Sequence, residues 1–357
     1  MTIDRDPCQE PIRMRMRMPD DWHCHFREPG DPRFAPTVAY IARQFARATA
    51  IGNTVPPILT AKQMIRYRDE IRRAAQAAGF QEFEPMMVLM ASPDTMPDMV
   101  RDAFLAGAYG VKTMPAHGTT NSAHGIYDYS HPLFIDGLRT VRDHGLAALF
   151  HAEVPDGRIP LVRREREFIP ILDRIRERIP DLKICVEHIS DAQMVQWVMD
   201  QGDLVAATVT PHHMYVTALQ ADRDPHLQCM PYPKSVEDVL AVRKAALWHP
   251  RFFFGSDNAP HLRPTKERTV PPPTFGVFTA PVEVAAVVEM FEEDHELPAV
   301  EGFLSERGAR WHDLPLNEGE IELVWLPWNV PQVIDLGGGN EIVPYLHGRT
   351  LQWQLAK

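Results

Sequence analysis

The sequence predicts an α/β protein, a (β/α)8 TIM barrel with a short C-terminal extension, and three observations carry that expectation. Short β-like runs alternate with amphipathic helical stretches over about 250 residues, the span of such a barrel. No Gly-rich phosphate loop follows an early strand, which disfavours an open doubly wound sheet. Side chains able to bind metal recur at the ends of the predicted strands, where a barrel gathers its active site. The chain has 357 residues, 45% hydrophobic and 24% charged, ample for one large core.

The first predicted strand spans 13–23, because Met14, Met16 and Met18 alternate with Arg13, Arg15 and Arg17. Further strands are predicted at 48–54, 84–91, 109–114, 146–151, 183–188, 204–210 and 251–257, each a short apolar or β-branched run. Between them, Val38, Ile41, Ala42 and Phe45 share a helix face, as do Ile171, Leu172, Ile175 and Ile179, and more loosely Ile65, Ile71, Ala75 and Ala78. The run 266–278, with Pro271-Pro272-Pro273, reads as a loop over one end of the barrel, and a helix resumes over 282–293. In the tail, strand-like runs at 321–326 and 346–355 flank Gly337-Gly338-Gly339. The expected organisation is a single domain over 1–357, with its core at about 13–315 and residues 316–357 packed on it as an extension.

A net charge of -11 argues against nucleic acid as the main partner. Apolar runs fall short of membrane-spanning length, and charges at Asp4, Arg5 and Asp6 stand where a signal peptide needs an apolar core. Cys8, Cys24, Cys185 and Cys229 lie far apart, without C-x-x-C spacing, and read as reduced thiols of a cytoplasmic protein.

The chemistry starts from His23-Cys24-His25. Alternation along a strand points both imidazoles to one side, so both can bind one metal. Alone the pair is weak evidence, and a lone His151 or His188 is more often a hydrogen-bonded core histidine. Together with Lys112 and Asp257 they occupy predicted strand ends that a barrel brings to one mouth. A desolvated lysine at 112 has easier access to its neutral amine, which can take up CO₂ as a carbamate that bridges two divalent metals. His23, His25 and Asp257 would then complete one metal shell and His151 and His188 the other, a set that suits zinc. His212 and His213 follow the seventh strand; adjacent residues of an extended chain face opposite ways, so at most one could join, and both stay outside the metal set. His131, His144, His249, His295 and His312 read as ordinary packing or surface residues.

The chain resembles the dihydroorotases, in particular the short bacterial class II type of the amidohydrolase superfamily, from about Pro19 to Leu355. The motifs are Pro-Asp-Asp-Trp-His-Cys-His-Phe-Arg (19–27), Gly-Asn-Thr-Val-Pro-Pro (52–57) and Gly-Val-Lys-Thr-Met-Pro-Ala-His-Gly-Thr-Thr-Asn-Ser-Ala-His-Gly (110–125). They continue with His-Ala-Glu-Val (151–154), Glu-His-Ile-Ser (187–190), Thr-Pro-His-His-Met (210–214), Pro-His-Leu-Gln-Cys-Met-Pro (225–231) and Gly-Ser-Asp-Asn-Ala-Pro-His (255–261). The resemblance implies reversible hydrolysis of (S)-dihydroorotate to N-carbamoyl-L-aspartate in de novo pyrimidine (UMP) biosynthesis, through a hydroxide bridging two metals. It implies metal ligation by His23, His25, Lys112 as N6-carboxylysine, His151, His188 and Asp257, with Asp257 also shuttling the proton. Arg27, Asn53 and His261 match residues that hold the substrate carboxylate, and His25, His151, Met230 and Phe275 match further substrate contacts. Thr119 and Thr120 match a flexible loop that closes over substrate. A cytoplasmic homodimer is implied, with a small-molecule substrate and no membrane or nucleic-acid partner. The chain departs from the nearer relatives at Glu28-Pro29-Gly30, at Ile51-Gly52 and in the Pro-containing 263–278 loop. Two competing readings are a related cyclic amidase of the hydantoinase, dihydropyrimidinase or allantoinase type, whose uncharged substrates need no carboxylate clamp, and a non-catalytic dihydroorotase-like partner protein, which would not need a full ligand set.

Overall fold

A computed structural model describes residues 1–4, 12–270 and 274–356; Cys8 and the Pro271-Pro272-Pro273 run lie outside them. The chain opens with β1 (Thr2–Asp4) and β2 (Arg13–Arg17) and then enters an eight-stranded sheet. Its strands are β3 (Asp20–Cys24), β4 (Arg47–Ala50), β5 (Glu84–Met90), β6 (Ala108–Thr113), β7 (Ala147–Phe150), β8 (Lys183–Val186), β9 (Val205–Val209) and β10 (Phe252–Phe254). Neighbours in sequence pair in parallel from β3 to β10. The sheet curls until its ends meet: the Asp257 N–H donates to the His23 carbonyl (2.9 Å) and the His25 N–H to the Asn258 carbonyl (3.0 Å). The result is the (β/α)8 barrel that the alternating pattern predicts.

Helices α1 (Phe34–Ala42), α2 (Ala61–Ala77), α3 (Pro97–Leu105), α4 (Pro132–Asp143), α5 (Ile169–Arg178), α6 (Ala192–Asp200), α7 (Ala218–Arg223) and α8 (Val236–Trp248) connect the strands. After β10 come α9 (Arg263–Lys266), α10 (Glu283–Glu293) and α11 (Arg307–Trp311). Ala147–Phe150, Val205–Val209 and Phe252–Phe254 are buried throughout, as expected of parallel strands covered on both faces. No helix among the described residues is long and apolar enough to cross a membrane.

Two expected details change. The run 13–23 is two strands, not one. Pro19 lacks an N–H and restricts Met18, so the ladder breaks there and the chain moves from one sheet to another. β2 joins β11 (Glu320–Asn329) and β14 (Thr350–Leu355) in an antiparallel sheet, with Met16 opposite Ile321 and Met14 opposite Leu323. Met14 and Met16 are buried there, while Arg13 and Arg15 turn outward onto Glu322, at 2.6 and 2.7 Å. The second change is the inner face of α2, which is Met64, Tyr67, Ile71 and Ala75; Ile65 and Ala78 are exposed. The buried set keeps the 3.6-residue period, and Ile65 lies about 100° round from Met64. Between β12 (Ile334–Asp335) and β13 (Glu341–Ile342) the chain turns through Gly337, Gly338 and Gly339, at φ +87°, +63° and +80°, where a side chain would be strained.

Beneath the strand ends, Trp22 stacks on His312 (4.4 Å between centroids) and meets Tyr109 and Phe253 edge-on. Gly308 of α11 lies against the Trp22 indole so closely that a β-carbon would overlap Nε1. Gly308→Ala is therefore expected to destabilise the protein by about 1–3 kcal/mol, the range for overpacking a filled core. Thermal melts check this; an unchanged Tm would show that Trp22 repacks without cost.

Candidate active site and metal centre

The predicted ligands converge at the C-terminal end of the barrel. His23 stands on β3 with His25 just beyond it, and Lys112 stands on β6; His151, His188 and Asp257 follow β7, β8 and β10. All are buried. Arg27, His188 and Asp257 hold left-handed backbone, at φ +70°, +43° and +45°, which costs roughly 1–3 kcal/mol each and turns their side chains inward.

Hydrogen bonding assigns the imidazole protons. The Asn53 amide donates to the Thr120 carbonyl (3.1 Å), so its oxygen faces His25 Nδ1 (2.8 Å) and that nitrogen carries the proton. His25 Nε2 then points a lone pair at Asp257 Oδ1, 3.1 Å away. Burial holds His25 near a pKa of about 4, so at neutral pH two acceptors face each other. At His151, Nε2 donates to Glu153 Oε2 (2.9 Å), so the Nδ1 lone pair accepts from His188 Nε2 (3.2 Å). His23 Nδ1 lies 2.9 Å from Glu187 Oε1 and Nε2 lies 3.3 Å from Asp257 Oδ1. Both contacts lack hydrogen-bond geometry, so both His23 nitrogens and Glu187 Oε1 are buried without a partner, as is His188 Nδ1.

Buried acceptors that face one another are costly unless a cation lies between them. The donor set fits divalent metal on that ground. His23, His25 and Asp257 form one group, and His23, Glu187 and His188 another, the chosen ligand atoms of each within 4.8 Å of one another. Lys112 is fully buried against the Glu187 carboxylate. Desolvation pushes its ammonium down to about 7.

The predicted substrate residues line the same cavity: Arg27, Asn53, Thr119, Thr120, Met230, His261 and Phe275 stand round it with His23, His25, His151, His188 and Asp257. Lys112, fully buried, is not among the lining residues. Arg27 donates from Nε to the Pro260 carbonyl (2.9 Å) and from Nη2 to His261 Nε2 (3.0 Å). His261 is therefore the neutral acceptor, and burial with the nearby Arg27 charge keeps it so. The Thr119–Thr120 loop lies over the cavity, where Thr120 Oγ1 reaches the Phe275 carbonyl at 3.5 Å.

Sequence reasoning missed several members. Glu187 adjoins His188 and Glu153 lies two residues after His151, so their motifs pointed to them, but nothing local shows which ligand they face. Asp21 is another: its carboxylate accepts from the His23 N–H (3.0 Å), the Ser256 N–H (2.8 Å) and the Ser256 hydroxyl (2.6 Å), pinning β3 to the Asp257 turn. His212 and His213 do not face opposite ways, because the chain turns there instead of running extended; their ring centroids are 4.6 Å apart. With Cys229 they form a separate buried group of potential ligands. His213 is already satisfied by Thr210 Oγ1 and the Pro231 carbonyl, each at 2.9 Å.

Neutral buried imidazoles make a pH prediction for the metal-free protein. The unfolded chain protonates His25 below its ordinary 6.5, whereas the folded chain resists until about 4. Stability is thus fully present above 6.5 and falls as pH drops toward 4, by about 1.4 kcal/mol per pH unit for each such histidine. Burial lowers His23, His151 and His188 in the same direction. Melts of chelator-treated protein across that window check the slope; equal stability at both ends would contradict it.

Comparison with known proteins places this geometry. No family model matches the chain. It is 36% identical over 354 residues to the dihydroorotase of Erwinia tasmaniensis, covering 97% of this chain and 99% of that one. It is 37% identical over 349 residues to the dihydroorotase of Sphingopyxis alaskensis, covering 96% and 99%. Among solved structures, dihydroorotase from Saccharomyces cerevisiae in complex with 5-fluoroorotic acid superposes with a TM-score of 0.89, at 27% identity over 96% of this chain and 98% of that one. Dihydroorotase from Campylobacter jejuni gives 0.86, at 28% identity over 97% and 98%. An L-hydantoinase from Arthrobacter aurescens, at 15% identity, 0.79 and coverage of 96% and 83%, shares the fold alone. A barrel of this form, full-length similarity to these relatives and a buried donor set suited to metal lead to one conclusion: the chain belongs to the dihydroorotase family, the metal-dependent cyclic amide hydrolases.

Proposed function

We propose that this chain hydrolyses (S)-dihydroorotate reversibly to N-carbamoyl-L-aspartate, a step of de novo pyrimidine (UMP) synthesis. One observation carries the reading: Arg27 and His261 stand on the wall of the cavity that also holds the His23, His25 and Asp257 donors. A carboxylate-binding group beside an amide-hydrolysing one is what this substrate requires. Arg27 Nη1 makes no hydrogen bond to the described residues, so it is free to take a substrate oxygen in a planar, charge-assisted bond. Asn53, His25, His151, Met230 and Phe275 complete the substrate contacts, and the Thr119–Thr120 loop excludes water.

His23, His25 and Asp257 would hold one divalent ion and His151 and His188 the other, with Lys112 between them as N6-carboxylysine; zinc suits the donors. When bound, the ions polarise the amide carbonyl and activate water. Asp257 lines the cavity, and as a carboxylate it can accept the proton of the attacking water on one oxygen and return it to the departing ring nitrogen. An amine pushed down to about 7 is partly neutral at physiological pH, which supports CO₂ uptake at Lys112 Nζ. The reading carries with it a cytoplasmic location, which the buried free thiols of Cys24, Cys185 and Cys229 suit, and a homodimer, which rests on family resemblance alone.

The test is an assay of metal-analysed protein with dihydroorotate, N-carbamoyl-L-aspartate and hydantoin. Turnover of the first two is expected; hydantoin hydrolysis without them would replace the reading by a general cyclic amidase. Asp257→Ala should lose turnover with metal still bound, and near-normal activity would sink the proton shuttle. Arg27→Met should lower kcat/KM for dihydroorotate by roughly 30-fold to 1,000-fold, as for a buried charge pair cut in half. Metal reconstitution of apoprotein should require bicarbonate; full recovery in CO₂-free buffer would argue against the carbamate.

A further inference from the structure

Lys266 closes α9 with its side chain buried and lies outside the donor cluster. Its Nζ donates to the carbonyls of Gln228 (2.9 Å), Thr274 (3.0 Å) and Gly276 (2.8 Å). No carboxylate among the described residues pairs with it. A buried cation without a counter-ion is costly, and three N–H donors on one nitrogen matched to three carbonyls is what offsets the cost.

The carbonyls belong to two separate backbone segments. One leads into Met230 and the other holds Phe275 and Gly276, all on the cavity wall. The Gly276 N–H also donates to the Gln228 carbonyl (2.8 Å), so that oxygen joins the segments and Lys266 holds it in place. The ammonium also lies near His261, where its charge acts with those of Arg27 and Arg33.

We propose that Lys266 is a positioning residue, whose ammonium clips the Gln228–Met230 and Thr274–Gly276 backbone into the wall of the substrate cavity and adds positive charge behind the carboxylate pocket. The second half of this inference rests on the proposed carboxylate role of Arg27 and His261; the clip does not.

Burial pushes the Lys266 ammonium down to about 8, with the Cys229 thiol and the Asp224 carboxylate opposing that shift. His226, His212 and His261 feel its charge, and Glu267 beside it pairs with Arg263 at 2.8 Å and His226 at 3.3 Å. Proton loss leaves two N–H donors for three carbonyls, so the clip loosens as pH rises through that value.

The experiment uses metal-loaded full-length protein, with orotate as the binding probe and dihydroorotate as substrate. Lys266→Met should raise the orotate Kd and the KM by about tenfold or more, the worth of charge-assisted hydrogen bonds, with kcat within about threefold. Hydrogen exchange should speed up at residues 228–230 and 274–276 and stay unchanged elsewhere in the barrel. Wild-type orotate affinity should fall as pH rises past the Lys266 titration, with that fall absent in the variant. A lower Tm with unchanged Kd, KM and local exchange would overturn the proposal and leave Lys266 a purely structural residue. If Lys266→Met does not fold, the wild-type profile decides, a flat one overturning it. Wild-type protein that neither binds orotate nor turns over dihydroorotate would defeat the functional reading instead; the exchange measurement would still decide the clip.

Discussion

The dry end of the barrel holds acceptors that face acceptors, and the rest of the site follows from how the chain tolerates them. His25 Nε2 meets Asp257 Oδ1 while Asn53 occupies the opposite nitrogen, and both His23 nitrogens, Glu187 Oε1 and His188 Nδ1 are buried there without a partner. The groups on the far side of each ring choose the tautomer, and the tautomer decides which lone pair enters the centre. A cluster of this kind opposes folding when empty and favours it when a cation sits inside, so metal binding and stability are coupled.

The barrel holds that arrangement at its closing seam. β3, β10 and the residues just beyond them supply His23, His25 and Asp257, and the two segments are joined by backbone bonds on both sides of Cys24 and by the Asp21 carboxylate on Ser256. Asn258 extends the seam: its side-chain oxygen accepts the Thr279 and Ala280 N–H groups, both at 3.1 Å, and ties the chain after the Pro-containing loop back to the barrel. The left-handed conformation of Asp257 persists because these bonds over-determine it.

Much of this was legible in the chain. Strands buried on both faces must be short apolar runs, and a reactive residue closing such a run in a barrel has only one place to go. That logic brought His23, Lys112, His151, His188 and Asp257 together without any contact being known. It could not find Glu187, Glu153 or Asp21, whose carboxylates take meaning only from which neighbour they meet across the barrel. It ran β2 into β3 because the Met–Arg alternation at 13–18 leads straight into the His-Cys-His segment, and only the Pro19 break and the pairing with β11 separate them. It read His212 and His213 as extended, where a turn rotates both rings to the same side.

The sequence by itself determined the fold class, the metal-binding chemistry and the family, because periodicity, strand-end residues and ordered motifs are local properties. The tertiary structure alone decided the imidazole tautomers, the pairing of Lys112 with Glu187, and the three-carbonyl seat of Lys266. Each of these depends on distances between segments far apart in the chain, and on a loss of water that no single segment imposes.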